Sequence, residues 1–518
     1  MPRRVNSHCI RSFSLLVCLC AAILCESCSR SVRPSDSPFT VMIEANPANL
    51  DPRFATDTQS QRIDGLLFSS LVEHDDQLNL RGDAAESWES PDPLTYIFHL
   101  RKDVFFHDGR RLTSADVKAT FDFLLNPANR SPKRGAFRMV TSVETAGDAT
   151  VIFHLKEAYA SFLWNMSRPA IGIVPAGATV DFARHPVGSG PFRFLSQRQD
   201  EEVLLEANIS YYRGAPAIPR VSFRVVPEAV VRALELRKGS ADLEMSSLSP
   251  DIIPPLARQP ELEVTQRPGT NFAYLGLNLE DPTLSHREVR QALAFATDRE
   301  AIIRYLLRGQ ARIANGILPP NHWAYTSDVA AYPADTARAE KLLDVAGFPR
   351  KADGVRFHLT LKTSTEEQAR LIGAALQQQW RRAGIALELR PLELATLLSD
   401  AVRGNFQINF LRWVGGNNDP AIFDLVFSSS RFPPEGANRG HYRNPRMDFL
   451  ASQILIERDA AKRKALCEEA QRLFAEDLPY LPMWFTDVVS VHRRGITNLA
   501  LSPTGDYDFL AAPRSAPR

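Results

Sequence analysis

The chain has 518 residues, with 61 basic side chains against 60 acidic ones and a hydrophobic share of 44%. That length suggests about three compact units, and the charge balance excludes a general electrostatic grip on nucleic acid or anionic lipid. Five of the six cysteines fall in the first 28 residues, so a disulfide framework for the body, where only Cys467 remains, is excluded as well.

In chain order the first element is a leader. Arg3, Arg4 and Arg11 accompany an apolar run from Phe13 to Leu24, too short and wrongly flanked for a membrane-spanning helix. The run meets Cys25, Glu26, Ser27 and Cys28. A small residue before a cysteine, just after an apolar segment, resembles the lipobox of bacterial lipoproteins. Cys28, behind Ser27, fits better than Cys25, behind Leu24. The expectation is a signal peptide over 1–28 with lipidation at Cys28, the alternative being simple cleavage to a soluble form. Residues 29–38, rich in Ser, Pro and Arg, read as a tether. No later stretch approaches the roughly 20 apolar residues of a spanning helix.

The body alternates strand-like and helix-like segments. Phe39–Glu44 reads as a strand ended by the turn formers Asn46-Pro47 and Asp51-Pro52. Thr95–Leu100 alternates before the Asp108-Gly109 turn, and Thr113 with Asp116 predicts a capping box. Ser285 with Glu288 predicts another; Asp298 and Asp335 each predict a helix start. Further on, Phe357, Leu359 and Leu361 share one strand face. Thr365 with Gln368 predicts a helix that Gly384 closes, and Ile385–Leu389 is the next strand. That βαβ unit predicts parallel strands, and Phe406–Leu411 adds another. The fold class expected is an open α/β sheet.

Ligands of open α/β sheets bind outside the carboxyl ends of strands. Two loops qualify: Ala45–Pro52 and Trp413–Pro420. The second combines an aromatic platform, two glycines that let backbone approach a guest, and three polar side chains, which suits an extended polar ligand.

At this point a family comparison becomes specific. The chain resembles the extracytoplasmic solute-binding proteins of peptide-type ABC transporters, family 5, the oligopeptide- and dipeptide-binding proteins. The matching stretches run in family order: Asn49–Pro52, Leu67–Glu73, Leu80–Trp88, Phe98–Gly109, Leu112–Val117, Pro186–Phe192, Leu275–Asn278, Val289–Arg299 and Trp413–Pro420. The resemblance implies a type II periplasmic-binding-protein-like fold, with two lobes around a cleft and an inserted third domain. Lobe I would comprise 39–72, 186–277 and 485–518, the inserted domain 73–185, and the other lobe 278–484. The crossings, and so the hinge, would lie near Leu275–Asn278 and Trp484-Phe485.

Each candidate residue has a plainer reading beside the functional one. Trp413 is a stacking wall for ligand or ordinary core. Asp419, before Pro420, suits a helix cap better than a ligand contact. Asn417 and Asn418 are ligand contacts or turn formers, and Gly415 and Gly416 allow close backbone approach or simply turn the chain. Asn46 and Asn49 line the cleft or build their own turn. His107, Asp108 and Gly109 read as a solvated hairpin tip. The histidines lack metal-site spacing, and Gly188-Ser189-Gly190 is no nucleophile elbow. No catalytic residue, metal or cofactor is expected, nor a nucleic-acid partner.

The function expected is therefore a monomeric receptor outside the cytoplasmic membrane, lipid-anchored, that captures a peptide or similar small solute for a membrane permease. A non-peptide ligand such as an oligosaccharide or a metal complex, or a sensor or chaperone without transport, is the alternative. A secreted hydrolase is the competing class. In peptide-binding members the loop after the tryptophan commonly carries an aspartate for the ligand's ammonium, and Gly416 stands at that position here.

Overall fold

The computed structural model describes residues 37–167, 171–415, 418–496 and 499–513. The leader, with Cys25 and Cys28, lies outside the described residues. The strands in chain order begin with β1 (Phe39–Ile43), β2 (Val72–His74), β3 (Leu80–Gly82), β4 (Ala85–Asp92), β5 (Thr95–Leu100), β6 (Val140–Thr145), β7 (Thr150–Leu155), β8 (Phe192–Arg198) and β9 (Glu202–Ala207). They continue with β10 (Arg220–Val225), β11 (Leu243–Met245), β12 (Leu262–Leu277), β13 (Ala311–Ile313), β14 (Phe357–Ser364), β15 (Ile385–Leu392), β16 (Ile408–Trp413) and β17 (Tyr480–Arg493).

One eleven-stranded sheet runs in the order β15-β14-β16-β12-β17-β11-β1-β10-β9-β8, with β13 also on β17. β1 is parallel to β10 and β11, and β14 is parallel to β15 through all eight residues, as the βαβ pattern predicts. β12 and β17 pair antiparallel from Leu262–Arg493 to Gly276–Tyr480, with register shifts at Arg267/Asn271 and Ala273/Tyr274. At the first break Gly269 is obligatory: a Cβ there would sit 2.2 Å from the Thr486 carbonyl oxygen. A separate sheet, β4-β5-β7-β6, belongs to the segment between β3 and β8.

Alternation along the strands builds the layers. On β1, Val41 and Ile43 join a core with Phe223 and Leu67, while Met42 faces the opposite core with Leu236 and Leu256. The other half of the sheet is sandwiched likewise. Leu359, Leu361 and Ile408 pack with the helices Arg287–Phe295 and Glu367–Arg382, and Phe272 and Tyr274 face Phe427 and Phe474. Trp380 is wholly buried and donates from Nε1 to Thr297 Oγ1 at 2.9 Å. Truncating it to Ala would cost about 3–5 kcal/mol. Phe98, Phe121, Phe153 and Phe162 form the aromatic core of the four-stranded unit.

Helix starts follow the caps in part. Asp298 accepts from Ala301 N–H and Asp335 from Arg338 N–H, both at 2.9 Å, and the Thr113 N–H donates to Asp116 at 2.8 Å. Two expected caps are not used. Helix Arg287–Phe295 starts after His286 and helix Glu367–Arg382 after Glu366, neither with a side-chain cap bond. Burial of Val289 and Leu293, and of Ile372 and Leu376, sets those starts instead.

Candidate functional site

Asp57 caps the helix Thr58–Leu67, accepting from Ser60 N–H at 2.9 Å. Ile63, Leu66 and Leu67 bury one face, which turns Gln61 and Arg62 toward an open cavity of about 340 Å³. Thr56, Thr58, Thr504 and Asp506 complete this wall. The Arg62 guanidinium lies over the Tyr507 ring, 5.6 Å from its centroid. Gly505, with φ +80°, makes room for it: a Cβ at that position would fall 2.4 Å from Nη2.

A second wall comes from the end of β2 and the segment that follows it up to β8. It includes His74, Lys133, Phe137, Trp164 and Asn165. His74 and Trp164 stack at 5.3 Å, nearly parallel, and Asn165 is oriented by its bond to the Ala136 carbonyl at 2.8 Å. Lys133 follows Ser131, whose hydroxyl caps the turn Pro132–Phe137. Burial pulls the Lys133 ammonium down to about 8, against the opposing pull of Asp64 and Asp51. Asp64, on the buried side of the helix Thr58–Leu67, has neither carboxyl oxygen hydrogen-bonded. Burial raises its pKa well above the ordinary carboxylate range.

The third wall is the loop after β16, through Val414, Gly415 and Asn418. Gly415 has φ +70°, the left-handed turn the paired glycines foreshadow. Asn418 is buried, with Oδ1 unpartnered, and its carbonyl faces His322 Nε2 at 3.2 Å. The Ala324 N–H donates to His322 Nδ1 at 3.0 Å, so Nε2 carries the ring proton. Burial holds His322 at about 4, hence neutral.

Of the residues singled out in the sequence, Gly415 and Asn418 line the cavity. Gly416 and Asn417 lie outside the described residues. Trp413 sits behind the loop, stacked on Tyr274 at 6.4 Å, which stacks in turn on Tyr480 at 4.3 Å; Arg439 covers the indole at 5.5 Å. Asp419 turns away from the cavity. It accepts from the Ala421 N–H at 2.8 Å and from the Ser161 hydroxyl, with Arg463 3.6 Å away. The helix there begins at Ile422, so Asp419 closes the turn that leads into it. Asn46 ties its loop to the β8–β9 turn through the Asp200 side chain and N–H, and Asn49 Oδ1 accepts from the Asp51 N–H at 2.8 Å within its own turn; neither is in the lining.

His107 departs from the expected solvated tip. Its ring Nε2 faces the Gly190 carbonyl at 3.1 Å and its Nδ1 accepts from the Gly188 N–H at 3.3 Å. Burial lowers it to about 4. The hairpin is thus keyed into the turn before β8, while Asp108 and Gly109 stay exposed.

A cavity lined by one helix and several loops at the side of a large mixed α/β sheet defines the class: an α/β binding protein. Residues 79–432 match the model of the family described as bacterial extracellular solute-binding proteins, family 5 middle. Similar curated proteins include the probable di/tripeptide-binding protein 5 of Pseudomonas aeruginosa, 30% identical with 91% of this chain and 94% of that protein covered. The glutathione-binding protein GsiB of Salmonella choleraesuis is 28% identical, with 90% and 93% covered. Among solved structures, NikZ from Campylobacter jejuni, in complex with Ni(L-His), superposes with a TM-score of 0.77 at 25% identity, over 91% of this chain and 97% of that one. The chain belongs to family 5 of the bacterial extracellular solute-binding proteins. It has the type II periplasmic-binding-protein fold and is an extracytoplasmic solute receptor. No helix among the described residues is long and apolar enough to cross a membrane.

Proposed function

We propose that this receptor captures a peptide or similar small solute in the three-walled cavity and delivers it to the permease of an ABC importer. The observation that carries the reading is the lining itself: stacked aromatic rings, amides and hydroxyls from three separate parts of the chain converge on one open space. Such a site gains its full contacts only when the walls close on a guest. The lobes run over 39–72 with 186–277 and 485–518, and over 278–484, with 73–185 inserted. β12 and β17 are the passages between them. In this reading the protein is no enzyme, acts as a monomer, and is held at the outer face of the cytoplasmic membrane by lipid on Cys28.

The test is mass spectrometry of solute released from protein purified without denaturation, followed by small-angle scattering of the emptied and refilled protein. A peptide or peptide-like solute is expected, with a smaller radius of gyration when bound. An oligosaccharide or metal complex would change the cargo, and an unchanged radius at saturation would remove the closure.

A further inference from the structure

The segment that carries the four-stranded sheet holds a second hollow, open and about 690 Å³ in volume. No residue lines both this hollow and the solute cavity. Its wall is apolar at Leu125, Pro127 and Val140 and basic at Arg130, Arg134 and Arg138. Two short turns place the arginines: Arg130 follows Pro127–Asn129, Arg134 lies within Pro132–Phe137, and Arg138 comes directly after it.

All three are exposed. Other surface arginines of the chain meet acids, as Arg101 meets Asp103 at 2.9 Å and Arg446 meets Glu469 at 2.6 Å. Here no acidic side chain is in the lining, and among the described residues none of the three arginines has a carboxylate within ion-pair distance. The chain as a whole is nearly neutral, so this is a local concentration of one sign. Arg134 is held in place by its Nε, which donates to the Leu125 carbonyl at 3.0 Å. Arg130 sits in the left-handed region, at φ 51° and ψ 30°, where glycine would be the unstrained choice. Unpaired like charges around one concavity, one of them on a strained backbone, do nothing to hold the fold and favour an anion.

We propose that Arg130, Arg134 and Arg138 form a phosphate-binding site, which takes a phosphomonoester with its organic part over Leu125, Pro127 and Val140. A carboxylate carries a single charge on two oxygens, which one bidentate guanidinium satisfies. A phosphomonoester carries close to two charges near neutral pH on three terminal oxygens, enough for several guanidiniums. The apolar part of the wall gives the rest of the ester a surface to cover. The turn Pro132–Phe137 also gives Phe137 to the solute cavity, so the two sites share that turn, while the phosphate site does not depend on the identity of the solute.

Calorimetry on the full chain tests this with four probes: inorganic phosphate, glycerol 3-phosphate, dihexanoyl phosphatidic acid below its micelle concentration, and glycolate. The phosphate probes are expected to bind, and glycolate to bind at least about tenfold more weakly than glycerol 3-phosphate. Arg134→Gln and Arg138→Gln should each weaken glycerol 3-phosphate by about tenfold. Arg130→Gly removes a charge while relieving the backbone. It should weaken binding likewise and unfold at no lower denaturant concentration than the parent, which separates a ligand role from a structural one. Tighter binding of the short-chain lipid than of glycerol 3-phosphate assigns the phosphate to a lipid headgroup; equal or weaker binding assigns it to a soluble ester. Three results overturn the proposal: no phosphate probe bound at millimolar concentration, glycolate within about tenfold of the ester, or an affinity that fewer than two of the three variants weaken.

Discussion

Arg463 and Asp419 lie 3.6 Å apart with only 12% of either side chain exposed, and both reach the Ser161 hydroxyl, Arg463 at 3.1 Å. The helix Ala460–Asp477, the loop after β16 and the turn before the helix Phe162–Asn165 are thereby tied at one point. Two neighbouring bonds reinforce it: Ala160 N–H to the Leu455 carbonyl at 2.6 Å, and Arg458 to the Ser90 carbonyl at 2.7 Å.

Removing Asp419 leaves Arg463 half-satisfied in a largely desolvated place. Asp419→Ala should cost about 2–3 kcal/mol in denaturant unfolding. Asp419→Asn, which still accepts from Ser161 and Ala421, should cost roughly half as much. Equal losses in the two variants would show that the ion pair contributes nothing beyond its hydrogen bonds.

His322 sets a pH dependence. Its folded value of about 4 lies below the ordinary histidine value of 6.5, so the unfolded chain binds the proton more readily. The stabilisation is complete above about pH 6.5 and is lost as pH falls toward 4, by about 2 kcal/mol between about pH 7 and 5. His322→Gln should flatten this part of the stability profile. A slope identical to that of the parent would show that His322 is not its source.

Gly505→Ala probes the seat of Arg62. A methyl group there meets Nη2 at 2.4 Å, and the backbone holds φ +80°. The left-handed backbone alone costs about 1 kcal/mol, and loss of the Arg62 guanidinium from the Tyr507 face adds about 0.5–1 kcal/mol in denaturant unfolding. A loss no larger than that of the backbone alone would show that the guanidinium moves aside without cost.

The anchor is tested by Cys28→Ala, which should move the protein from the membrane fraction to the soluble fraction, because acyl chains are the apolar attachment proposed. Retention at the membrane would point to Cys25 or to an uncleaved leader.

The sheet was more legible in the sequence than the site. Phe357, Leu359 and Leu361 alternate, and the run into Ile385 after Gly384 reads directly as two parallel strands, because both signals are local. The loop from Trp413 was visible for the same reason: strand end, paired glycines and amides adjoin. Arg62, Lys133, His74 and Trp164 carry no such mark. Each is a polar or aromatic residue on a short helix, turn or strand end, a placement common to many surface side chains, and only tertiary packing assembles them. His107 reads as solvent-facing in the sequence because its partners, Gly188 and Gly190, lie some 80 residues away. Asn46 and Asn49 adjoin a strand end as the rule requires, yet Asn49 is claimed by its neighbour Asp51 and Asn46 by Asp200, 154 positions away, which no local pattern marks.

β17 lies between β12 and β11 in the middle of the large sheet, yet it is made of residues 480–493 in a chain of 518. Its partners precede it by up to about 250 positions, so the sheet's central pairing is among the most non-local in the molecule. A chain that crosses a membrane amino end first cannot complete this sheet until its last strand has passed. The earlier part of the chain then waits outside with β11 and β12 lacking their shared neighbour, open to slow closure and to chaperones that hold unpaired edges. Late arrival of the central strand thus keeps the protein threadable for the duration of its export.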